Sequence, residues 1–117
     1  MILISITGGT KTQRDLGDDA IRFFVKTLMP RKRSLNIDLK IHNLIKDDVA
    51  GLCDYMGGNE VVIESHNRGT LYDYISFLAH ECVHMKQYVT GELKTNGRKE
   101  LWHGKDFTDV PYKKQPW

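Results

Sequence analysis

Cysteine is scarce in this chain of 117 residues, where Cys53 and Cys82 are the only two. Two thiols make neither a disulfide framework nor a zinc ribbon, so a reducing, cytoplasmic setting is expected. Charge of one sign is lacking as well. Seventeen Lys and Arg against fifteen Asp and Glu leave a formal charge of +2, too little by itself to argue for nucleic acid. No apolar run approaches the length of a membrane span, which excludes a helical membrane protein. The opening Met1-Ile2-Leu3-Ile4-Ser5-Ile6 has neither the basic start nor the small-residue cleavage site of a signal peptide, and it reads as a first strand. Gly8-Gly9-Thr10-Lys11-Thr12 lacks the second Gly followed by Lys and Ser/Thr that a phosphate loop needs, so no nucleotide site is expected there. The length fits one domain, residues 1–117, with a modest core and no room for a substantial second module.

What the chain does contain is His80-Glu81-Cys82-Val83-His84, which reads HExxH. On an α-helix of about 3.6 residues per turn, His80 and His84 point the same way, and both imidazoles can bind one ion at roughly 2.0–2.1 Å. Glu81 sits about 100° round the helix. From there its carboxylate can take the proton of a water at the metal without being a ligand, the role of a general base in zinc hydrolysis. With five His and five Glu, a shuffled chain would show this motif roughly once in a hundred times. The surrounding residues must therefore decide.

They favour a helix. From Thr70 to Thr90 there is no Gly or Pro, and Leu71, Ile75, Leu78, Cys82, Met85 and Val89 recur at steps of three and four. That stripe lies nearly opposite His80 and His84, so one helix can pack against a core and present a histidine face. Thr70 with Asp73 forms a start signal, and Gly91 supplies a left-handed turn at the end. Cys82 falls on the core side and reads as a small buried hydrophobe rather than a ligand.

Earlier segments supply the rest of a small α+β domain. Ile21, Phe24, Val25 and Leu28 have helical spacing within about Arg14–Leu28, and Pro30 stops that helix. Asn36 to His42 alternates polar and apolar residues like a half-buried strand. A further strand from about Ala50 to Met56 ends at the turn Gly57-Gly58-Asn59, and Glu60 to His66 makes another. Beyond Gly91 the polar run Lys94 to Glu100 has no periodicity and reads as loop or short helix. Trp102, Phe107, Tyr112 and Trp117 make the tail aromatic enough to fold back on the body.

A catalytic zinc site takes three protein ligands and leaves a fourth position for water. His103 leads the candidates for the third, because it lies nineteen residues after His84, far enough to return to the helix face, and the small Gly104 follows it. Glu92, Glu100, Asp106 and Asp109 are acidic alternatives. His42 and His66 have no helical coupling to the motif; His66, at the end of the strand before the helix, is placed either at the surface or along the cleft, where it could steady an oxyanion. A peptide substrate would lie extended along the sheet edge near Glu64 and His66.

The stretches HECVHMKQYVTGEL, LWHGKDF and VPYKKQPW resemble the small SprT-like zinc metallopeptidases, and more closely their relatives in phages and bacteria. The resemblance covers about residues 60–117 and does not reach the first thirty. It implies a minimal zincin: a short, mainly antiparallel or mixed sheet packed against an N-terminal helix and the HExxH helix. It also implies Zn2+ as cofactor, a peptide or protein as substrate, His80 and His84 as ligands, and Glu81 as base. In SprT-like proteins a third histidine is followed by Gly and an aromatic-bearing segment, which His103-Gly104-Lys105-Asp106-Phe107 matches. In the phage-type relatives the tail runs on past a Pro-Trp pair, and a Glu just after the Trp would be the ligand. This chain stops at Trp117. Either His103 completes the site, or the sequence is cut before its last ligand.

Two other classes of function fit parts of the sequence. Arg31-Lys32-Arg33 with Lys26, and Arg98-Lys99, motivate a DNA-associated module, as the SprT-like resemblance also does. A non-catalytic domain stapled by zinc would use the same histidines.

Overall fold

The computed structural model describes residues 1–43, 51–96, 99–103 and 105–106. The first strand, β1 (Ile2–Gly8), runs through a glycine turn into helix α1 (Lys11–Leu28). Thr10 caps that helix in a capping box with Gln13, which starts it one turn earlier than the apolar spacing alone places it. The chain then enters β2 (Leu35–His42), parallel to β1 with Ile4 opposite Ile37. Next come β3 (Gly51–Gly57) and β4 (Glu60–His66), an antiparallel hairpin whose turn uses positive φ at Gly57 and Gly58. β4 also pairs in parallel with β2, so the sheet order is β1-β2-β4-β3. The sheet is therefore mixed, with two parallel pairings and one antiparallel; a mainly antiparallel sheet is not what forms, because α1 carries the chain back across the sheet between β1 and β2.

One face of this sheet is covered by helices. Along β2, Leu35, Ile37, Leu39 and Ile41 are buried while Asn36, Lys40 and His42 are exposed, the period of two that a half-buried strand requires. Val61 and Ile63 of β4 share the buried face, where Ile21 and Val25 of α1 meet them. Each such side chain contributes about 1.5–3 kcal/mol on full burial.

Helix α2 (Leu71–Val89) packs on the same face beside α1 and over β3 and β4. Thr70 and Asp73 form its capping box, and Gly91 follows its end with φ 79°. Leu78, Cys82 and Met85 are fully buried, as their spacing requires. Leu71, in the first turn, is 48% exposed instead. Its place in the core is taken by Tyr74, whose ring is buried and whose hydroxyl donates to the Gln13 carbonyl of α1 at 2.8 Å.

Beyond Gly91 the described residues form strands where loop or short helix was expected. β5 (Leu93–Asn96), β6 (Lys99–Trp102) and β7 (Lys105–Asp106) form a separate antiparallel sheet. Backbone pairing between β5 and β6 needs no apolar alternation, which is why the polar sequence concealed it. Phe107, Asp109, Tyr112 and Trp117, with Gly104 and Arg98, lie outside the described residues. No described helix is long and apolar enough to cross a membrane.

Candidate metal centre

His80 and His84 lie one turn apart on α2 with their Nε2 atoms 3.2 Å from each other and their rings nearly perpendicular. Two donors at roughly 2.05 Å from one zinc ion, separated by a tetrahedral angle, are about 3.3 Å apart. The pair thus fits a chelate without rearrangement. On its other nitrogen, His84 Nδ1 lies 2.9 Å from Oε1 of Gln87, a buried residue of the same helix.

Glu81 turns from the histidine face toward the sheet. Its side chain is 9% exposed, and one carboxylate oxygen lies 3.9 Å from His80 Nε2. Desolvation raises its pKa above the ordinary value, His80 and His84 pull it back, and Asp54 adds to the rise. Gly51 of β3 is what makes room for it. A β-carbon at Gly51 would stand 3.1 Å from Glu81 Cγ and 3.2 Å from the Glu64 carbonyl oxygen.

These groups line a cleft of about 240 Å³, with Gly51, Leu52 and Cys53 of β3 on one side and His80, Glu81, His84 and Tyr88 of α2 on the other. Tyr88 is held by a stacked contact with Tyr55 of β3, ring centroids 6.2 Å apart. Burial first, then Glu81, holds the Cys53 thiol well above its ordinary range, so it is a neutral wall of the cleft. Cys82 behaves as the core hydrophobe its helix position implies, with a pKa pushed up to about 12 by burial and then by Glu81.

The structure does not bring His103 to this pair. It follows β6 with φ 49°, its ring meets Trp102 edge-on, and its Nε2 lies 3.8 Å from Oε2 of Glu92. Glu92 also accepts from Lys86 and, at 3.1 Å, from Thr90. The Lys86 hydrogen bond is the main cause of its lowered pKa. Among the described residues, no three His, Cys, Asp or Glu side chains come together as a ligand set. His42 and His66 are also elsewhere: His42 Nε2 lies 2.9 Å from Oε1 of Glu64, and His66 Nδ1 is buried without a partner among the described residues.

Three contributors escaped the sequence. Gln87 carried one signal, its place three residues after His84 on a helix. Tyr88 carried the same kind of signal, four residues after His84 on that helix, whereas Gly51 carried none, since it joins the site only through the packing of α2 against β3. No family model, curated protein or solved structure matches the chain.

Proposed function

We propose that the chain is a zinc-dependent peptidase of minimal zincin type, with Glu81 as general base. The observation that carries this reading is the 3.2 Å approach of His80 Nε2 and His84 Nε2 beside a carboxylate buried in a cleft. The likeness of the HECVHMKQYVTGEL stretch to SprT-like peptidases, which rests on the same His80, Glu81 and His84, is in keeping with it. His80 and His84 hold the ion, and the third ligand is either His103, turned away from Glu92, or a residue outside those described. Bound zinc lowers the pKa of a water toward about 7 and polarises the scissile carbonyl.

Glu81 takes the proton of the attacking water and passes it to the leaving amine. Its position suits that exchange, because the carboxylate sits in the cleft beside the histidine pair rather than in open solvent. Gly51 keeps the carboxylate seated against β3. An extended peptide reaches the cleft along β3, the outer strand of the sheet among the described residues. Glu64 and His66, expected at that edge, belong instead to β4, an inner strand with β3 at its side.

The test uses the full chain with an unfolded protein as substrate. Glu81→Gln is expected to keep stoichiometric zinc and lose turnover, whereas His80→Ala and His84→Ala lose both. Undiminished turnover in Glu81→Gln would reject the mechanism, and a zinc-loaded wild type inert toward every unfolded substrate tried would point to a structural metal.

A further inference from the structure

Gln87 is one of three buried polar or charged residues among those described, with Ser65 and Glu81. A primary amide buried without a partner costs about 1–3 kcal/mol, so its hydrogen bonds define why it is there. The bond it makes is to His84, Oε1 to Nδ1 at 2.9 Å. A carbonyl oxygen can only accept. Nδ1 must therefore carry the proton, because a bare Nδ1 would set two lone pairs against each other at that distance. In a neutral imidazole the other nitrogen is then unprotonated. That nitrogen, Nε2, is the atom 3.2 Å from His80 Nε2.

We propose that Gln87 is a positioning residue that fixes His84 in the Nδ1–H tautomer and so aims a bare Nε2 at the metal position. The role rests on the zinc reading above and adds to it a residue that touches neither ion nor substrate. Both residues sit on one helix at a spacing of three, so the backbone holds the contact rigid before any ion arrives. Free imidazoles favour the opposite tautomer. Without Gln87, His84 would have to give up a proton from Nε2 and lose the brake on its ring rotation before binding.

The experiment has two readouts on the full chain. Long-range nitrogen–proton correlation spectra of the metal-free protein, with labelled histidine, report the tautomer directly. Competition with a chromophoric chelator reports the affinity for Zn2+. The wild type is expected to show His84 with Nδ1 protonated. Gln87→Met, close in volume but without a strong acceptor, is expected to shift His84 toward Nε2–H and to weaken zinc binding by about 10–100-fold. Gln87→Glu restores an acceptor and is expected to recover both. A wild type with Nε2 protonated means that the amide is turned round and overturns the proposal without any variant. Zinc affinity in Gln87→Met within twofold of wild type overturns it too, while leaving the metal site standing. Failure of the wild type to bind zinc removes the metal reading and the positioning role together.

Discussion

The hydroxyl of Tyr74 donates to the main-chain oxygen of Gln13 at 2.8 Å, directly over Gly17, and this contact ties α2, which carries His80 and His84, to the helix that crosses the sheet. A tyrosine ring can enter the core only if its oxygen finds a partner, and α1 supplies one where Gly17 leaves the space. The orientation of α2, and with it the direction in which His80 and His84 point, depends on that packing.

Tyr74→Phe is accordingly expected to cost about 1 kcal/mol in urea unfolding, the net worth of one buried hydrogen bond. The pH dependence of the wild type follows from the same group. Burial raises the phenol from its ordinary 10.0 to about 12. A folded-state pKa above the unfolded one gives stability that is complete below pH 10 and is lost as the pH rises through 12. The phenylalanine variant should lack that part of the alkaline loss, and equal alkaline slopes in the two proteins would count against a buried Tyr74.

Gly17→Ala sets two effects against each other. Alanine gains about 1 kcal/mol in helix propensity, but the added methyl would collide with the Tyr74 hydroxyl and stand 3.0 Å from Leu39 Cδ2. Overpacking of this kind costs about 1–3 kcal/mol, so destabilisation is expected to win. In the Tyr74→Phe background the nearest ring atom lies at an ordinary 3.5 Å. The penalty there should shrink by at least about 0.5 kcal/mol, measured as the coupling in a double-mutant cycle. Strict additivity would show that the hydroxyl does not fill the space above Gly17.

At Gly51 the consequence falls on turnover. A methyl there would press on Glu81 Cγ from 3.1 Å, with the Glu64 carbonyl blocking retreat. Gly51→Ala is expected to lower kcat by roughly 10–100-fold through misplacement of the base. Zinc content should not change, since a β-carbon at Gly51 would meet Glu81 and the Glu64 carbonyl but neither histidine. Loss of zinc at the same step would mean that the strand positions the histidines rather than the carboxylate.

Much of this arrangement was legible locally. The HExxH spacing, the Thr70–Asp73 cap, Gly91, the alternation in β2 and the strand character of Glu60–His66 are properties of neighbouring residues, and the structure contains each of them. What stayed hidden depends on residues far apart in the chain. Tyr74 escaped the apolar stripe because its polar tip hides a buried ring, satisfied by an oxygen sixty-one positions away. Gly51 fell inside an expected strand, and nothing marked it until α2 packed on β3 and brought it against Glu81. The polar strands β5 and β6 form through backbone bonds that leave no hydrophobic period to read. His103 illustrates the remaining gap: its sequence context resembles a ligand, and its nearest charged neighbour is Glu92.

Thermal unfolding with and without zinc addresses that gap. A ligand that binds only the folded chain, present at a hundred times its dissociation constant, stabilises it by about 2.7 kcal/mol. In a domain of this size that corresponds to a rise in Tm of roughly 10 °C, reversed by a chelator. His84→Ala should abolish the rise, because it removes one of the two imidazoles, 3.2 Å apart, that would form the chelate. His103→Ala then divides the two remaining cases. If the rise disappears as it does for His84→Ala, His103 leaves Glu92 on binding and becomes the third ligand. If the rise is retained, the third ligand lies outside the described residues, and the contact between His103 and Glu92 joins β6 to the end of α2. A wild type whose Tm ignores zinc at any concentration would remove the metal from the site altogether.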